Sequence, residues 1–323
     1  MKTIPQSMSP VLVLVGPTAI GKTALSLQIA ERFDCEIVSV DSMQVYRYMD
    51  IGTAKASVAE RSRVRHHLID IADPDEQYDA ARFVRDATAA IIDIHLRKKL
   101  PLLTGGTGLY LKALVDGIFE CLPVNHQIRT RLQQRLAVEG PARLYRELAS
   151  CDPPSAARIH VNDSQRLLRA LEIYQATGIP WSSHLREQRG RTGPAVWGSI
   201  LLLGLRCDRQ TLYARINERC RQMIADGLEE EVRGLLARGY RQDLPSLQSI
   251  GYKHMIKYID STWTSEQMLT YLSRDTRRYA KRQFTWFNGM DQIEWYEVAT
   301  GAPIIERIAS WRDELSPRAT TYR

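Results

Sequence analysis

The chain has 323 residues, of which 44% are hydrophobic, and a formal net charge of +7. The absence of a run of eighteen apolar residues argues against a membrane-spanning helix, and the N-terminus lacks an apolar signal region, so we expect a cytoplasmic protein. Five widely spaced cysteines without a CxxC pair predict free thiols and no structural metal site. The positive charge is concentrated after residue 124, where 30 Lys and Arg accompany 22 Asp and Glu. That excess favours an anionic polymer as partner.

The first predicted element is a strand, "VLVLV" at 11–15, which runs directly into a phosphate-binding loop. Residues 16–23 fit the pattern GxxxxGK[ST], and Leu25, Ile29 and Phe33 then recur with helical spacing. The glycines allow several backbone N–H groups to point at a phosphate, Lys22 adds a cation, and the hydroxyl of Thr23 can bind Mg²⁺. The candidate diphosphate-binding residues are therefore Gly16, Pro17, Thr18, Ala19, Ile20, Gly21, Lys22 and Thr23.

Further apolar runs predict strands at 36–40, 100–104 and 199–207, and a long helix at 79–99 carries Lys and Arg in its last turn. This alternation predicts an α/β fold with a doubly wound parallel sheet. The strand at 100–104 runs into Gly-Gly-Thr-Gly without a carboxylate, whereas Asp41 follows the strand at 36–40. Ligands of such sheets bind at the carboxyl ends of the strands, so we expect Asp41 to face the phosphate loop. A helix N-cap is the alternative role for this residue.

Residues 122–197 differ in character from the rest of the chain. They carry helical patterns without a convincing strand, and positions 125–191 contain 11 Arg and no Lys. We therefore predict a P-loop-type α/β core made of residues 1–121 and 198–323, with 122–197 as an arginine-rich helical insertion domain.

Two later helices present arginines at helical spacing. The pattern at 212–223 places Arg215 and Arg219 one turn apart on one face. Near the C-terminus a basic stripe is predicted, and Asp275 is expected to lie off it; the members of the stripe are Arg274, Arg277, Arg278, Lys281 and Arg282. The apolar residues predicted to pack opposite it are Leu269, Leu272, Tyr279, Trp286 and Phe287. A stripe of five positive charges suits a phosphate backbone, although a solvated helix face is the alternative.

The motifs, taken in order, resemble those of the bacterial tRNA dimethylallyltransferase (tRNA isopentenyltransferase) family. They include "GPTAIGKT", "VSVDSMQVYR", "LLTGGTGLYLKAL", "NDSQRLLRALEIY", "SIGYKH" and "TRRYAKRQFTWF", and the resemblance extends from about residue 11 to about 290. It implies transfer of a dimethylallyl group from dimethylallyl diphosphate to the N6 amine of the adenosine 3′ to the anticodon in tRNA. Pyrophosphate would leave, Mg²⁺ would be the cofactor, and we expect a monomer.

The resemblance also implies roles for individual residues. Asp41 matches the general base, Thr107 lies near the meeting point of donor and acceptor, and Arg219, with Arg215 beside it, binds the diphosphate. The residues matched to tRNA binding are Asp41, Ser42, Met43, Gln44, Gln165, Arg166, Leu167, Leu168, Arg169, Ser249, Gly251, Tyr252, Lys253, Arg278, Lys281 and Arg282.

Two other classes of protein share part of this pattern. An ATP-dependent small-molecule kinase would explain the phosphate loop but not the "DSMQ" stretch, the arginine-rich insertion or the basic stripe. A non-catalytic RNA-binding protein with a decayed loop would not be expected to retain Lys22, Thr23 and Asp41 together.

Overall fold

The computed structural model describes residues 10–115, 125–191, 198–298 and 301–315. The strands in these ranges are β1 (Val11–Val15), β2 (Cys35–Val40), β3 (His66–His67), β4 (Leu100–Gly105), β5 (Ile200–Arg206) and β6 (Glu294–Glu297). They form one sheet in the order β3-β2-β4-β1-β5-β6, and every neighbouring pair is parallel. The predicted α/β fold with a doubly wound parallel sheet is confirmed.

Helices lie between and after the strands along the chain. In chain order they are α1 (Lys22–Phe33), α2 (Val58–Arg63), α3 (Ala80–Leu96), α4 (Gly108–Val115), α5 (His126–Glu139), α6 (Pro141–Cys151), α7 (Pro153–Ala156), α8 (Ser164–Thr177), α9 (Trp181–Arg191), α10 (Arg209–Ala225), α11 (Leu228–Ala237), α12 (Tyr252–Ile259), α13 (Ser265–Phe287) and α14 (Gly301–Leu315). The expected 79–99 helix is shorter than predicted. It ends at Leu96, and Lys98 takes a left-handed conformation with φ 59°, so the basic residues lie beyond its last turn.

The register of the central strands brings three loops together. Val15 of β1 is paired with Gly105 of β4, and Gly105 is also paired with Val40 of β2. The carboxyl ends of these strands therefore align at one edge of the sheet. Gly16, Asp41 and Gly106 each follow directly after one of the aligned residues, so the sheet itself assembles the site.

The chain divides into two compact units, Met1–Val115 with Val196–Arg323, and Asp116–Ala195. The first contains the sheet and the core around it, in which all five residues of β1 are buried. The second has a separate core formed by α5, α6 and α8, to which Leu132, Leu148 and Leu171 belong. The predicted domain junctions at 121–122 and at residue 197 lie outside the described residues, and the proposed domain boundaries stay a prediction.

In the described ranges, no helix is both long and apolar enough to cross a membrane. Four cysteines in these ranges, Cys35, Cys151, Cys207 and Cys220, are free thiols, and Cys121 lies outside them. The same ranges contain no group of three His, Cys, Asp or Glu side chains able to hold a metal ion.

Candidate active site

A cavity of about 670 Å³ opens at the carboxyl edge of the sheet. Its walls come from the loop before α1, the segments after β2 and β4, and helices α10 and α13. Thirteen residues of the predicted site line it: Thr18, Ala19, Gly21, Lys22, Thr23, Asp41, Ser42, Met43, Gln44, Arg215, Arg219, Ser249 and Gly251. The structure thus brings six of the nine predicted diphosphate-binding residues and the segment 41–44 into one space, whereas Gly16, Pro17, Ile20 and Thr107 do not line it.

The phosphate loop takes its shape from left-handed residues. Gly16 has φ 154° and Gly21, the N-cap of α1, has φ 106°. A side chain on Gly16 would also press against the carbonyl of Leu205, because its Cβ would lie 3.0 Å from that oxygen. Glycine adopts these angles at little cost, and the loop can therefore curl around the N-terminus of α1, where helix backbone N–H groups attract anions.

The Lys22 ammonium lies within the loop. Its Nζ donates hydrogen bonds to the carbonyls of Gly16 at 2.9 Å and Pro17 at 2.8 Å. Burial and then the nearby Arg219 guanidinium lower the pKa of Lys22 to about 7, while the Asp41 carboxylate acts in the opposite direction. A bound diphosphate would place negative charge next to the Lys22 ammonium and so stabilise its charged form.

Helix α10 contributes two more cations. Arg219 is largely buried, and burial lowers its pKa from the ordinary arginine value, with Asp41 opposing that shift. Arg215, one turn earlier, donates through Nη1 to the carbonyl of Ile20 in the phosphate loop at 3.2 Å. Lys22, Arg215 and Arg219 therefore surround the loop with positive charge, which is the arrangement expected for binding a polyanion.

Asp41 holds the turn that follows β2. Its Oδ1 accepts hydrogen bonds from the N–H groups of Met43 at 2.8 Å and Gln44 at 3.2 Å. These hydrogen bonds close a turn and not a helix, because the next helix in the described ranges, α2, begins at Val58, so the helix N-cap considered for Asp41 is not present. Oδ2 has no hydrogen-bond partner among the described residues, and the side chain lines the cavity. One oxygen can fix the carboxylate while the other accepts a proton.

Side-chain hydrogen bonds connect this turn to its neighbours. Oγ1 of Thr107 accepts from the N–H of Ser42 at 3.0 Å. Gln44 accepts from the Ser39 hydroxyl at 3.0 Å, and its Nε2 donates to the carbonyls of Thr53 and Ala54 at 3.4 and 3.3 Å. Residues 41–44 are therefore held on both sides.

Three important residues were not found from the sequence. Gln283 of α13 is buried at 5% exposure and lines the cavity. Tyr279, expected to pack only on the core, also lines the cavity, and burial raises the pKa of its hydroxyl above the ordinary value. Glu231 accepts from the N–H groups of residues 50–52 at 2.7, 2.7 and 3.0 Å. A polar residue at 283, on the apolar face of α13, was the available signal.

The structure revises part of the predicted tRNA-binding set. Leu167 and Leu168 belong to the core of their unit, and Tyr252 is fully buried with its hydroxyl donated to Glu231 at 2.6 Å. These three side chains cannot contact an RNA surface as placed. Gln165 and Arg166 are exposed on α8, and Arg166 pairs with Asp163 at 2.9 Å.

The remaining members of that set have mixed surroundings. Arg169 is half-buried and pairs with the buried Glu172 at 3.0 Å. Ser249 and Gly251 line the cavity, and Lys253 is half-buried at the start of α12.

The basic stripe on α13 is partly neutralised. Asp275, expected to lie apart from it, pairs with Arg274 at 3.0 Å and Arg278 at 3.6 Å. Arg278 follows Asp275 by three positions, so the two lie only about 60° apart around the helix, within reach of a long side chain. Lys281 and Arg282 are exposed and make no ion pair with a carboxylate among the described residues.

The residues at the loop fit a magnesium ion bound chiefly by its substrate. Thr23 lies in the first turn of α1 and lines the cavity. Mg²⁺ keeps several waters and commonly uses one or two protein ligands together with phosphate oxygens. A single hydroxyl beside a diphosphate site is consistent with that chemistry, and with the lack of a three-residue metal cluster in the described ranges.

Comparison with known proteins connects this geometry to one family. The sequence model of the IPP transferase family matches residues 44–290. A tRNA dimethylallyltransferase from Desulfotalea psychrophila is 55% identical over 308 residues, which are 95% of this chain and 97% of that protein.

Solved structures give the same result. The full-length tRNA isopentenylpyrophosphate transferase from Bacillus halodurans is 40% identical, with a TM-score of 0.69 over 95% of this chain and 98% of its own. A eukaryotic dimethylallyltransferase acting on tRNA is 28% identical, with a TM-score of 0.79 over 98% of this chain and 81% of its own. The chain therefore belongs to the IPP transferase family.

Proposed function

We propose that this protein is a tRNA dimethylallyltransferase. It transfers the dimethylallyl group of dimethylallyl diphosphate to the exocyclic N6 amine of the adenosine 3′-adjacent to the anticodon and releases pyrophosphate. The observation that carries the proposal is that the phosphate loop and the Asp41 carboxylate line one and the same cavity. Family membership supports the same reaction, and distinguishes it from phosphoryl transfer by a kinase.

On the donor side, the protein stabilises the leaving group. The bond between the allylic carbon and the diphosphate oxygen breaks, and negative charge grows on the pyrophosphate. Fixed positive charge near this leaving group comes from Lys22, Arg219 and the loop N–H groups. It stabilises the negative charge that develops in the transition state and so lowers the barrier to transfer. A bound Mg²⁺ on Thr23 would add further neutralisation of the departing oxygens.

On the acceptor side, the base must become a better nucleophile. The adenine amine is weak because its lone pair is delocalised into the ring. As its nitrogen forms the bond to the allylic carbon it loses a proton, and we assign Oδ2 of Asp41 as the acceptor of that proton. An enzyme that acts on a base draws it out of its stack, which costs little in a single-stranded anticodon loop.

The proposal is tested by incubating the protein with unmodified tRNA, dimethylallyl diphosphate and Mg²⁺, followed by nucleoside mass spectrometry. We expect one dimethylallyl-adenosine per tRNA, located 3′ to the anticodon, and pyrophosphate in equal amount. Binding of ATP in preference to dimethylallyl diphosphate, with no modified nucleoside, would instead support a kinase. Tight tRNA binding with no transfer would support a non-catalytic RNA-binding protein.

A further inference from the structure

Gln283 connects two loops that are remote in sequence. Its Oε1 accepts a hydrogen bond from the N–H of Thr18, in the phosphate loop, at 2.8 Å. Its Nε2 donates to the carbonyl of Gly106, in the loop after β4, at 3.0 Å. The side chain is 5% exposed. Its two polar atoms therefore bond to the protein, each to a backbone group in a different wall of the cavity.

The fit around Gln283 is close. A Cβ on Gly106 would collide with Nε2 of Gln283, so the glycine there permits the contact. An amide matches this site because it carries one acceptor for an N–H and one donor for a carbonyl. An apolar side chain of the same length would leave both buried backbone groups without that partner, which is costly.

The connection continues to the proposed base. Thr107 follows Gly106 directly in the chain, and its N–H donates to the carbonyl of Val40 at 3.1 Å. Its Oγ1 accepts from the N–H of Ser42, the residue next to Asp41. The hydrogen bonds of Gln283 and Thr107, joined by the peptide bond between Gly106 and Thr107, therefore link the loop for the leaving group to the turn that carries the proton acceptor.

We infer that Gln283 is a positioning residue that fixes the distance between the phosphate loop and the Asp41 turn. The inference rests on the proposed function, because it concerns the relative placement of the two reacting partners. Transfer requires the allylic carbon and the amine to meet within a narrow range of distance and angle, and a displacement of about 1 Å can cost roughly 10²-fold in rate. Since Thr18 commits its N–H to Gln283, the other loop N–H groups are the ones left for the diphosphate.

The test is Gln283→Met, which keeps the length of the side chain and removes both hydrogen bonds. At saturating donor and tRNA we expect the single-turnover rate to fall about 10- to 100-fold. The affinity for tRNA without donor should stay within about twofold, since no proposed RNA contact is removed. Thr107→Val, which removes the acceptor of the Ser42 N–H, should also lower the same rate. The double variant should be little slower than Gln283→Met alone, because coupled residues are not additive.

Leu269→Ala is the matched control for general destabilisation. Leu269 packs on the core from the same helix, about 21 Å along its axis from Gln283. It should lower the melting temperature and leave the single-turnover rate unchanged. A Gln283→Met rate equal to wild type, or multiplicative effects of the two single variants, would overturn the inference. Failure of the wild-type protein to modify tRNA would overturn the proposed function instead.

Discussion

The pKa of Lys22 lies well below the ordinary value for a lysine. Its ammonium is buried beside another cation, which lowers its pKa to about 7. A diphosphate would bring negative charge to it and raise that pKa again. Binding above pH 7 must therefore be accompanied by proton uptake at this side chain.

This linkage predicts a pH dependence of donor affinity. Below pH 7 Lys22 is already protonated and contributes little change. Above pH 7 the affinity for dimethylallyl diphosphate should fall, by up to about tenfold per pH unit. Calorimetric titration from pH 7 to 9, in buffers of different ionisation enthalpy, measures both the affinity and the proton taken up.

Lys22→Arg provides the comparison, because a guanidinium stays charged throughout this range. Its donor affinity should be weaker at pH 7 but nearly independent of pH. A flat profile for the wild-type protein would show that the Lys22 ammonium is already fully charged in the free site.

At the scale of elements, the segment 50–54 depends on Glu231. The carboxylate of this α11 residue accepts three consecutive backbone N–H groups and the Tyr252 hydroxyl. Gly52 makes the packing possible, since a Cβ there would collide with the Tyr252 ring. This segment forms the cavity wall whose carbonyls hold Gln44.

Replacing Glu231 by Gln should therefore destabilise the fold. The amide keeps one acceptor and introduces a donor facing backbone N–H groups, so we expect a loss of roughly 1–3 kcal/mol in the free energy of unfolding. Glu230→Gln, an exposed neighbour on the same helix, should change it by less than about 0.5 kcal/mol. Urea denaturation of both variants measures the difference, and equal effects would contradict the role assigned to Glu231.

Helix α13 has two faces with different proposed roles. Its inner face carries Tyr279 and Gln283 at the cavity, and its outer face carries the basic stripe. Because Asp275 neutralises the nearby Arg274 and Arg278, Lys281 and Arg282 are the members best placed to meet RNA phosphates. The stripe is therefore narrower than the sequence pattern suggests.

This distinction is measurable through counterion release. The double variant Lys281→Ala, Arg282→Ala should weaken tRNA binding and reduce the log–log salt slope by up to about two. Arg274→Ala, which removes an arginine already paired with Asp275, should reduce it by less than about one. Salt titrations of equal slope for wild type and the double variant would place the phosphate contacts elsewhere. Donor affinity should be unchanged in both variants.

At the scale of the whole molecule, the sequence predicts the elements and motifs that depend on residues close together in the chain. The strand at 11–15, the phosphate loop, the position of Asp41 after β2 and the long C-terminal helix follow from runs, spacing and strand ends. The pairing of Gln283 with Thr18 spans 265 residues and has no local signature. The burial of Tyr252 and the ion pairs of Asp275 likewise depend on the side chains that lie next to them in the fold. The predicted tRNA-binding residues and the predicted basic stripe could therefore be revised only from the structure.

The central claim is that one cavity joins a phosphate loop for the leaving group to a carboxylate that accepts the amine proton. The most direct test is the single-turnover rate of Asp41→Asn at saturating tRNA and dimethylallyl diphosphate. Asn keeps the shape and an acceptor oxygen for the Met43 and Gln44 N–H groups, but it is a far weaker proton acceptor. We predict a rate about 10²- to 10⁴-fold below wild type with tRNA affinity little changed. A rate near that of wild type would remove Asp41 from the reaction and leave it only the role of holding the turn after β2.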